Sequence, residues 1–430
     1  MLLRFCLYGF LKNQRYFEPF LVLAFLEKHL SFAQIGLLIG FREIAINVME
    51  VPTGAMADVL GRRRSMIFSF LAYMVSFAIF GSCAALWTLF AAMFFFSVGE
   101  AFRTGTHKAI IFDWLNARGR ADEKTRVYGF TRSWSKLGSA LNVIVAAALV
   151  FVTKRYSAIF LFSIIPCAGN IINFLTYPSS LDGPKAAQAG IGGVVRVLAG
   201  TMRDSISRRP LRRLLIEAMG FDGTFKAVKD YLQPVLESYA TVAALSLPLL
   251  APLAGRQQTA VFIAAVYVVL HLLSSFASRR SDALLKWAGD EARAARRLWC
   301  MNLGVFAVLA AGVVVHLPPA AIVAFVALSV IQNFWRPIMI SRFAEQAAPG
   351  RMATVLSIES QSRSLFAAVL APVLGWAVDA IARVQGAGGE DLRFLPVGLV
   401  GLAVAAVMLA TGRSTSPAAG DGLDSAVGKG

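Results

Sequence analysis

Ionisable side chains recur at helical spacing inside the long apolar segments of this 430-residue chain. An α-helix brings residues three or four positions apart to one face, so each group forms a stripe. Charged groups in an apolar interior are costly and normally face a partner or a polar cavity. The stripes therefore predict a buried polar site for a charged solute or a proton. They comprise Lys12, Arg15 and Glu18; Glu43, Asn47, Glu50 and Gly54; Glu100, Arg103, Thr104, His107 and Lys108; Lys226, Lys229, Asp230, Gln233 and Glu237; Asn333 and Arg336; and Glu359 and Arg363.

The cations counted as interior are Lys12, Arg15, Arg42, Arg103, Lys108, Arg132, Lys136, Lys226, Lys229, Arg336 and Arg363, eleven in all, and they are set against the seven acids Glu18, Glu43, Glu50, Glu100, Asp113, Asp230 and Glu359. Unbalanced positive charge in a low-dielectric interior is stabilised by an anion or by water, or is removed when a lysine loses its proton. The excess of cations therefore favours an anionic or zwitterionic organic ligand. Arg132 and Lys136 are among the eleven and could instead extend to a membrane boundary. The predicted ligand-binding residues are Lys12, Arg15, Arg103, Lys108, Lys226, Lys229, Gln233 and Arg336.

Six residues are candidates for binding a coupling proton: Glu18, Glu100, His107, Asp230, Glu359 and Arg363. A carboxylate beside a cation can change partner when it is protonated, and histidine changes charge near neutral pH. Simpler structural roles remain open. His107 can be an ordinary interior histidine, and Lys226–Asp230 and Glu359–Arg363, each four residues apart, can be ion pairs that set helix packing.

The composition predicts the elements that hold these residues. The chain is 57% hydrophobic and 16% charged, with a mean hydropathy of +0.63. Soluble domains have about 45–50% apolar and 25% charged residues, so a soluble enzyme, a disordered chain and a disulfide scaffold are excluded. A multi-pass, all-α membrane protein is predicted, with twelve transmembrane helices near 5–27, 33–57, 65–83, 86–114, 128–152, 156–177, 214–240, 258–277, 298–316, 319–343, 352–377 and 394–412.

Lysine and arginine placement predicts the orientation. With the N-terminus inside, cytoplasmic segments hold 25 of these residues and the opposite loops hold 6, so both termini are expected in the cytoplasm. This asymmetry accounts for most of the net charge of +17 without nucleic acid. The predicted domains are a six-helix half (1–177), a linker with an amphipathic helix or a solvated basic segment (178–213), a second six-helix half (214–412) and a disordered tail (413–430).

The loop GAMADVLGRRR, from Gly54 to Arg64, joins the second and third predicted spans. It resembles the signature of the major facilitator superfamily, and it matches at Gly54, Met56, Ala57, Asp58, Gly61, Arg62 and Arg63. The resemblance implies two six-helix halves and alternating access, with the acid and arginines latching the halves on the cytoplasmic side. Gly54 should allow close helix approach, Gly61 should permit a turn, and Glu50 is assigned to the same gate.

The resemblance implies a secondary active transporter of a small organic solute, anionic or zwitterionic, coupled to protons. It is not expected to be an enzyme, because HExxH and GxSxG are absent, and no nucleotide motif is present. No metal or cofactor is predicted, since the four cysteines are scattered. The expected partners are the solute, a proton and the lipid bilayer, with a monomer in a bacterial inner membrane. The alternatives are a drug/proton antiporter, and a lipid flippase or transporter-like receptor on the same fold.

Overall fold

The structure is a computed structural model that describes residues 1–104, 106–120, 123–178, 181, 200, 202–203, 207–246, 250–346, 352–385 and 390–411. Side-chain environments are also undescribed at 51, 55, 58–60, 124–125, 241–246, 353 and 390–391. The predicted tail and most of the predicted linker lie outside the described residues. Regular structure in the described ranges is helical.

The first half contains nine helices in its described ranges. They are α1 (Leu2–Leu11), α2 (Leu21–Leu26), α3 (Phe32–Leu60), α4 (Arg62–Ser82), α5 (Leu86–Arg103), α6 (Thr106–Asn116), α7 (Lys124–Thr153), α8 (Ala158–Phe162) and α9 (Ile164–Leu175). A 3₁₀ turn, Glu18–Phe20, precedes α2.

The second half begins with α10 (Arg209–Ala218), which starts in the predicted linker and continues into the predicted span 214–240. A π-helical segment (Met219–Gly223), α11 (Thr224–Val228) and a 3₁₀ turn (Lys229–Tyr231) lead into α12 (Leu232–Ser246). The remaining described helices are α13 (Gly255–Arg279), α14 (Ser281–Ala288), α15 (Glu291–Val314), α16 (Pro318–Gln346), α17 (Met352–Gln385) and α18 (Leu395–Thr411).

Ten helical stretches in the described ranges are long and apolar enough to cross a membrane. The other two predicted spans, 5–27 and 214–240, are each divided into shorter segments. These are the first spans of the two halves. Each break lies beside a proline, Pro19 or Pro234, which lacks the amide hydrogen that a continuous helix needs. The first span of each half is therefore discontinuous at a corresponding position.

The halves pack together along α3 and α17, where glycines allow the backbones to approach. A Cβ added at Gly40 would lie 2.5 Å from the Ala368 carbonyl oxygen, and one at Gly375 would overlap the Phe32 backbone. Asp379 of α17 accepts hydrogen bonds from the Phe32 and Ala33 amides at 3.1 and 2.7 Å. These bonds satisfy free amides at the start of α3 and favour negative charge there.

The bundle has two ends, named here by a residue at each. The Lys28 side carries the loops that contain Lys28, Lys154 and Arg256, and the Met1 side carries Met1, Gly61 and Arg118. Glu27 joins the halves on the Lys28 side: it accepts from the Tyr156 and Ser157 amides and pairs with Arg256 at 3.1 Å. Arg256 also donates to the Lys154 carbonyl at 2.8 Å.

Candidate functional site

A charged cluster in the first half connects the broken first span to α5. Glu100 pairs with both Arg15 and Arg103, and Arg15 also pairs with Glu18 at 2.9 Å. Arg103 donates to the Tyr73 hydroxyl at 3.1 Å. The structure therefore brings four predicted site residues together in one network of ion pairs: Arg15, Glu18, Glu100 and Arg103. Glu18 is the outermost of them, with 52% of its side chain exposed.

An ion pair at the centre of the bundle joins the two halves. Glu43 of α3 is 3% exposed and pairs with Lys226 of α11 at 2.5 Å and with Arg42 at 2.9 Å. Lys226 also donates to the Ser364 hydroxyl at 2.9 Å. The predicted Lys226–Asp230 pair is therefore wrong. The 3₁₀ turn changes the spacing between these residues, and Asp230 pairs with Lys229 at 3.4 Å instead.

A second cluster of acids and arginines lies within the second half. Glu359 pairs with Arg336 and with Arg363, both at 2.7 Å, which confirms the predicted four-residue pair. Asp222 lies 3.4 Å from Arg363 and 3.6 Å from Arg336 and accepts a hydrogen bond from Gln332. The sequence analysis missed Asp222. Its signal was an acid between two glycines, and the π-helical segment turns this acid into the bundle, where it is 1% exposed.

Gln233 contacts backbone and is not open to a solute. Its side-chain amide donates to the Glu18 carbonyl at 2.9 Å, and its oxygen accepts from the Val22 amide at 2.8 Å. Gln233 is fully buried, whereas Lys229 keeps 45% of its side chain exposed. The residues of the stripe predicted for this span therefore have different partners. Glu237, a further member of the stripe, accepts a hydrogen bond from the Tyr156 hydroxyl at 2.8 Å.

A cavity of about 370 Å³ lies between α1, α6 and α7. Three cations line it: Lys12, Arg132 and Lys136. No carboxylate is among the lining residues in the described part of the chain. The rest of the lining is aromatic or uncharged polar, with Phe5, Tyr8, Gly9, Asn13, His107, Tyr128, Thr131, Ser135 and Ser139. Lysine, arginine and hydroxyl donors around a cavity of this size can bind a small organic anion.

Adjacent residues of α6 have different environments. The His107 ring is buried against Tyr8 with centroids 3.8 Å apart, edge-on to Phe5, and it lines the cavity. Lys108 is exposed, and its ammonium lies over the rings of Phe112 and Tyr128 at 5.4 and 5.6 Å. Lys108 is not among the residues that line this cavity. Arg132 and Lys136 line the cavity and are exposed.

The sequence profile of the Major Facilitator Superfamily matches residues 2–372. The chain belongs to the Major Facilitator Superfamily. It resembles the crystal structure of the nucleoside transporter NupG, with a TM-score of 0.72, 13% identity and coverage of 96% of this chain and 97% of that chain. No curated protein matches the sequence.

Two further solved transporters share the superfamily fold. A bacterial homologue of the human lysosomal transporter Spinster, described as inward-facing and unoccupied, gives a TM-score of 0.63, 15% identity and coverage of 96% and 94%. The human organic anion transporter MFSD10 (TETRAN) gives 0.56, 16% identity and coverage of 94% and 98%. At these identities the likeness establishes the fold.

The superfamily signature loop lies at the Met1 side. Gly61 has φ of 94°, a conformation that glycine adopts readily, so the predicted turn is confirmed. Arg62 pairs with Asp113 at the end of α6, and Arg63 donates to the Tyr177 carbonyl at 2.7 Å. These contacts tie the loop to its own half. They differ from the predicted latch between the halves.

The other predicted gate residues lie at the same end of α3. Among the described residues, no heavy atom lies within 4 Å of a Cβ added at Gly54, so the close helix approach predicted there is not seen in this arrangement. Asn47 donates to the Gln361 carbonyl of α17 at 3.3 Å, and Glu50 lies beside the Gln361 side chain. The side chain of Asp58 lies outside the described part of the chain.

Proposed function

We propose that this chain is a secondary active transporter of a small organic anion, operating by alternating access across a bacterial inner membrane. The observation that carries the proposal is the cavity bordered by Lys12, Arg132 and Lys136 with no acid in its described lining. Its volume of about 370 Å³ lies at the lower end of the range for organic ligand sites, roughly 300–1,000 Å³.

Three cations beside aromatic walls match an anion that also has an organic body. Lys12 approaches the cavity from α1, while Arg132 and Lys136 lie one turn apart on α7. An anion bound between them would draw α1 and α7 together, and these helices already pack closely: an added Cβ at Gly138 would lie 2.5 Å from the Phe10 carbonyl oxygen. Anion binding in the cavity can therefore move the interrupted first span.

The arrangement of the halves supports alternating access. Contacts from Glu27, Asp379 and the glycines of α3 and α17 join the halves at the Lys28 side, whereas Gly54 has open space near the Met1 side. With the predicted cytoplasmic termini, this is a state open to the cytoplasm. One solved neighbour is itself described as inward-facing. Twelve spans follow when each interrupted first span is counted as one crossing.

Proton coupling is the second part of the proposal. The acids Glu18, Glu100, Asp230 and Glu359 all lie in ion pairs that a proton would weaken. His107 borders the anion cavity, where protonation would add a positive charge. The sequence has no nucleotide-binding motif, so an ion gradient would supply the energy.

A thermal-shift screen tests the anion site. Purified protein is melted with adenosine monophosphate, succinate, glycyl-leucine or tetraphenylphosphonium, because a ligand that binds only the folded state raises the melting temperature. We expect at least one anion or zwitterion to stabilise the protein, and Arg132→Gln to reduce that shift. Lys108→Gln is the matched control, since this cation lies outside the cavity. Stabilisation by tetraphenylphosphonium alone would favour the drug/proton antiporter.

Counterflow in proteoliposomes then tests transport. Labelled adenosine monophosphate or succinate should accumulate when the same unlabelled anion is present inside. Binding without counterflow would instead favour the transporter-like receptor, and movement of a fluorescent lipid between leaflets would favour the flippase.

A further inference from the structure

The two interrupted spans carry a short sequence repeat at their breaks. Residues 16–21 read YFEPFL and residues 231–236 read YLQPVL. Tyrosine, proline and the final leucine coincide, and the residue before proline is Glu18 in the first half and Gln233 in the second. Glutamate and glutamine have the same shape, and a protonated glutamate, like glutamine, is neutral and can both donate and accept.

Gln233 already shows what this side chain does in its neutral form. It bonds to the Glu18 carbonyl and the Val22 amide, at 2.9 and 2.8 Å. These two backbone groups are four residues apart, so an uninterrupted α-helix would bond them to each other. The side chain of the second half therefore inserts into the break of the first and satisfies two backbone groups in an apolar interior.

Glu18 is the equivalent side chain, and it is placed differently. It is 52% exposed and pairs with Arg15 at 2.9 Å, whereas Gln233 is fully buried. A carboxylate has no hydrogen to donate to a carbonyl, so the ionised form cannot make both bonds that Gln233 makes.

We propose that Glu18 is the residue that binds the coupling proton. When it takes up a proton it leaves Arg15 and donates a hydrogen bond to a backbone carbonyl of the Lys229–Tyr231 turn, where Pro234 has no amide hydrogen to donate to the Asp230 carbonyl. The protonated protein then has two neutral side chains between the breaks, and the arrangement closed at the Lys28 side gains stability. This step rests on the proposed transport function, because a coupling proton has meaning only there.

The charges around Glu18 are compatible with such an exchange. Arg15 stays paired with Glu100 when Glu18 leaves, so the guanidinium is not left alone. The segment packed against α2 holds the Lys229–Asp230 pair. Tyr267 and His271 of α13 also lie within electrostatic range of Glu18. His271 is the group whose titration must be separated from that of Glu18.

Melting temperatures across about pH 5 to 8 test the proposal without any solute. Glu18→Gln imitates the protonated form, and Glu18→Ala is neutral but cannot make the contact. At acidic pH, wild type and Glu18→Gln should melt together and above Glu18→Ala. At alkaline pH, wild type should separate from Glu18→Gln, and the separation should persist with His271→Asn in both. Equal melting of the Gln and Ala variants at every pH, or a separation that does not change with pH, would overturn the proposal.

Two further measurements complete the test. Gln233→Glu should lower the melting temperature at alkaline pH and recover at acidic pH, since an ionised carboxylate cannot donate to the Glu18 carbonyl. In proteoliposomes, Glu18→Gln should lose the stimulation of adenosine monophosphate or succinate uptake by a pH gradient. Retained stimulation contradicts the proposal. If wild type moves neither anion, the proposed function is contradicted, while the melting comparison still decides whether Glu18 binds the proton.

Discussion

Lys226 of the second half donates to Glu43 of the first half across 2.5 Å, between helices that are far apart in sequence. Glu43 is 3% exposed, and Lys226 is 34% exposed. The partner atoms lie in different halves, so any movement that separates the halves at this depth must break or replace the pair. The same lysine is a predicted ligand for the transported anion, which could compete with Glu43.

A double-mutant cycle tests this junction. Glu43→Gln and Lys226→Met should each lower thermal stability, because each removes the ion pair between the halves, and the double variant should lose less than the sum. The expected coupling is about 0.5–3 kcal/mol, the usual range for residues in contact. Additive losses would show that the pair does not stabilise this arrangement. Lys229→Ala, at an exposed lysine of the same span, is the matched control.

The Asp222 cluster gives a prediction for the second half. Asp222→Asn leaves two arginines with one acid in a buried position, and breaking such a pair costs about 3–5 kcal/mol. We expect a markedly lower melting temperature. Asp282→Asn is the control, because its pair with Lys286 at 2.9 Å is largely exposed and contributes about 0–1 kcal/mol. Equal effects of the two substitutions would contradict a structural role for Asp222.

Periodicity predicted the contacts that lie within one regular helix. Glu359 and Arg363 are four residues apart in α17 and do pair. The same reasoning failed for Lys226 and Asp230, because a 3₁₀ turn lies between them and the strongest partner comes from α3. Asp222 was missed for a related reason: a π-helical segment has no signature in hydrophobic spacing. The contacts predicted from periodicity are therefore wrong or incomplete where the chain departs from α-helical geometry.

The positions of the long apolar helices were more accessible from the sequence than the partners of individual charges. Apolar length alone indicates ten of the spans, since lipid requires continuous helices. Which side chains line the cavity depends on how the helices pack. His107 lines the cavity, whereas Lys108, the next residue of α6, lies over the Phe112 ring and does not line it. The signature loop predicted the turn at Gly61 correctly, but the pairing of Arg62 with Asp113 within one half needs tertiary structure.

Glycines in α3 and α17 should control closure at the Lys28 side. Gly375→Ala places a methyl group against the Phe32 backbone, and overpacking of this kind costs about 1–3 kcal/mol. We expect a lower melting temperature and a shift toward the opposite state, read out as faster labelling of a cysteine introduced at Ala33. Gly304→Ala is the control, because no heavy atom of the described residues lies within 4 Å of its added Cβ. Unchanged labelling in Gly375→Ala would contradict a role in closure.

The signature loop should govern the rate of transport more than binding. Asp113→Asn removes a partner of Arg62, and Asp58→Asn alters the matched acid of the loop; neither is among the residues that line the described cavity. We expect slower counterflow of adenosine monophosphate or succinate, with an unchanged concentration for half-maximal thermal stabilisation. Gly54→Leu should also slow counterflow, with unchanged binding and no loss of stability. This result is expected because α3 would approach another helix at Gly54 only when the Met1 side closes. Weaker binding in a normally folded Asp113→Asn protein would assign that acid to the anion site.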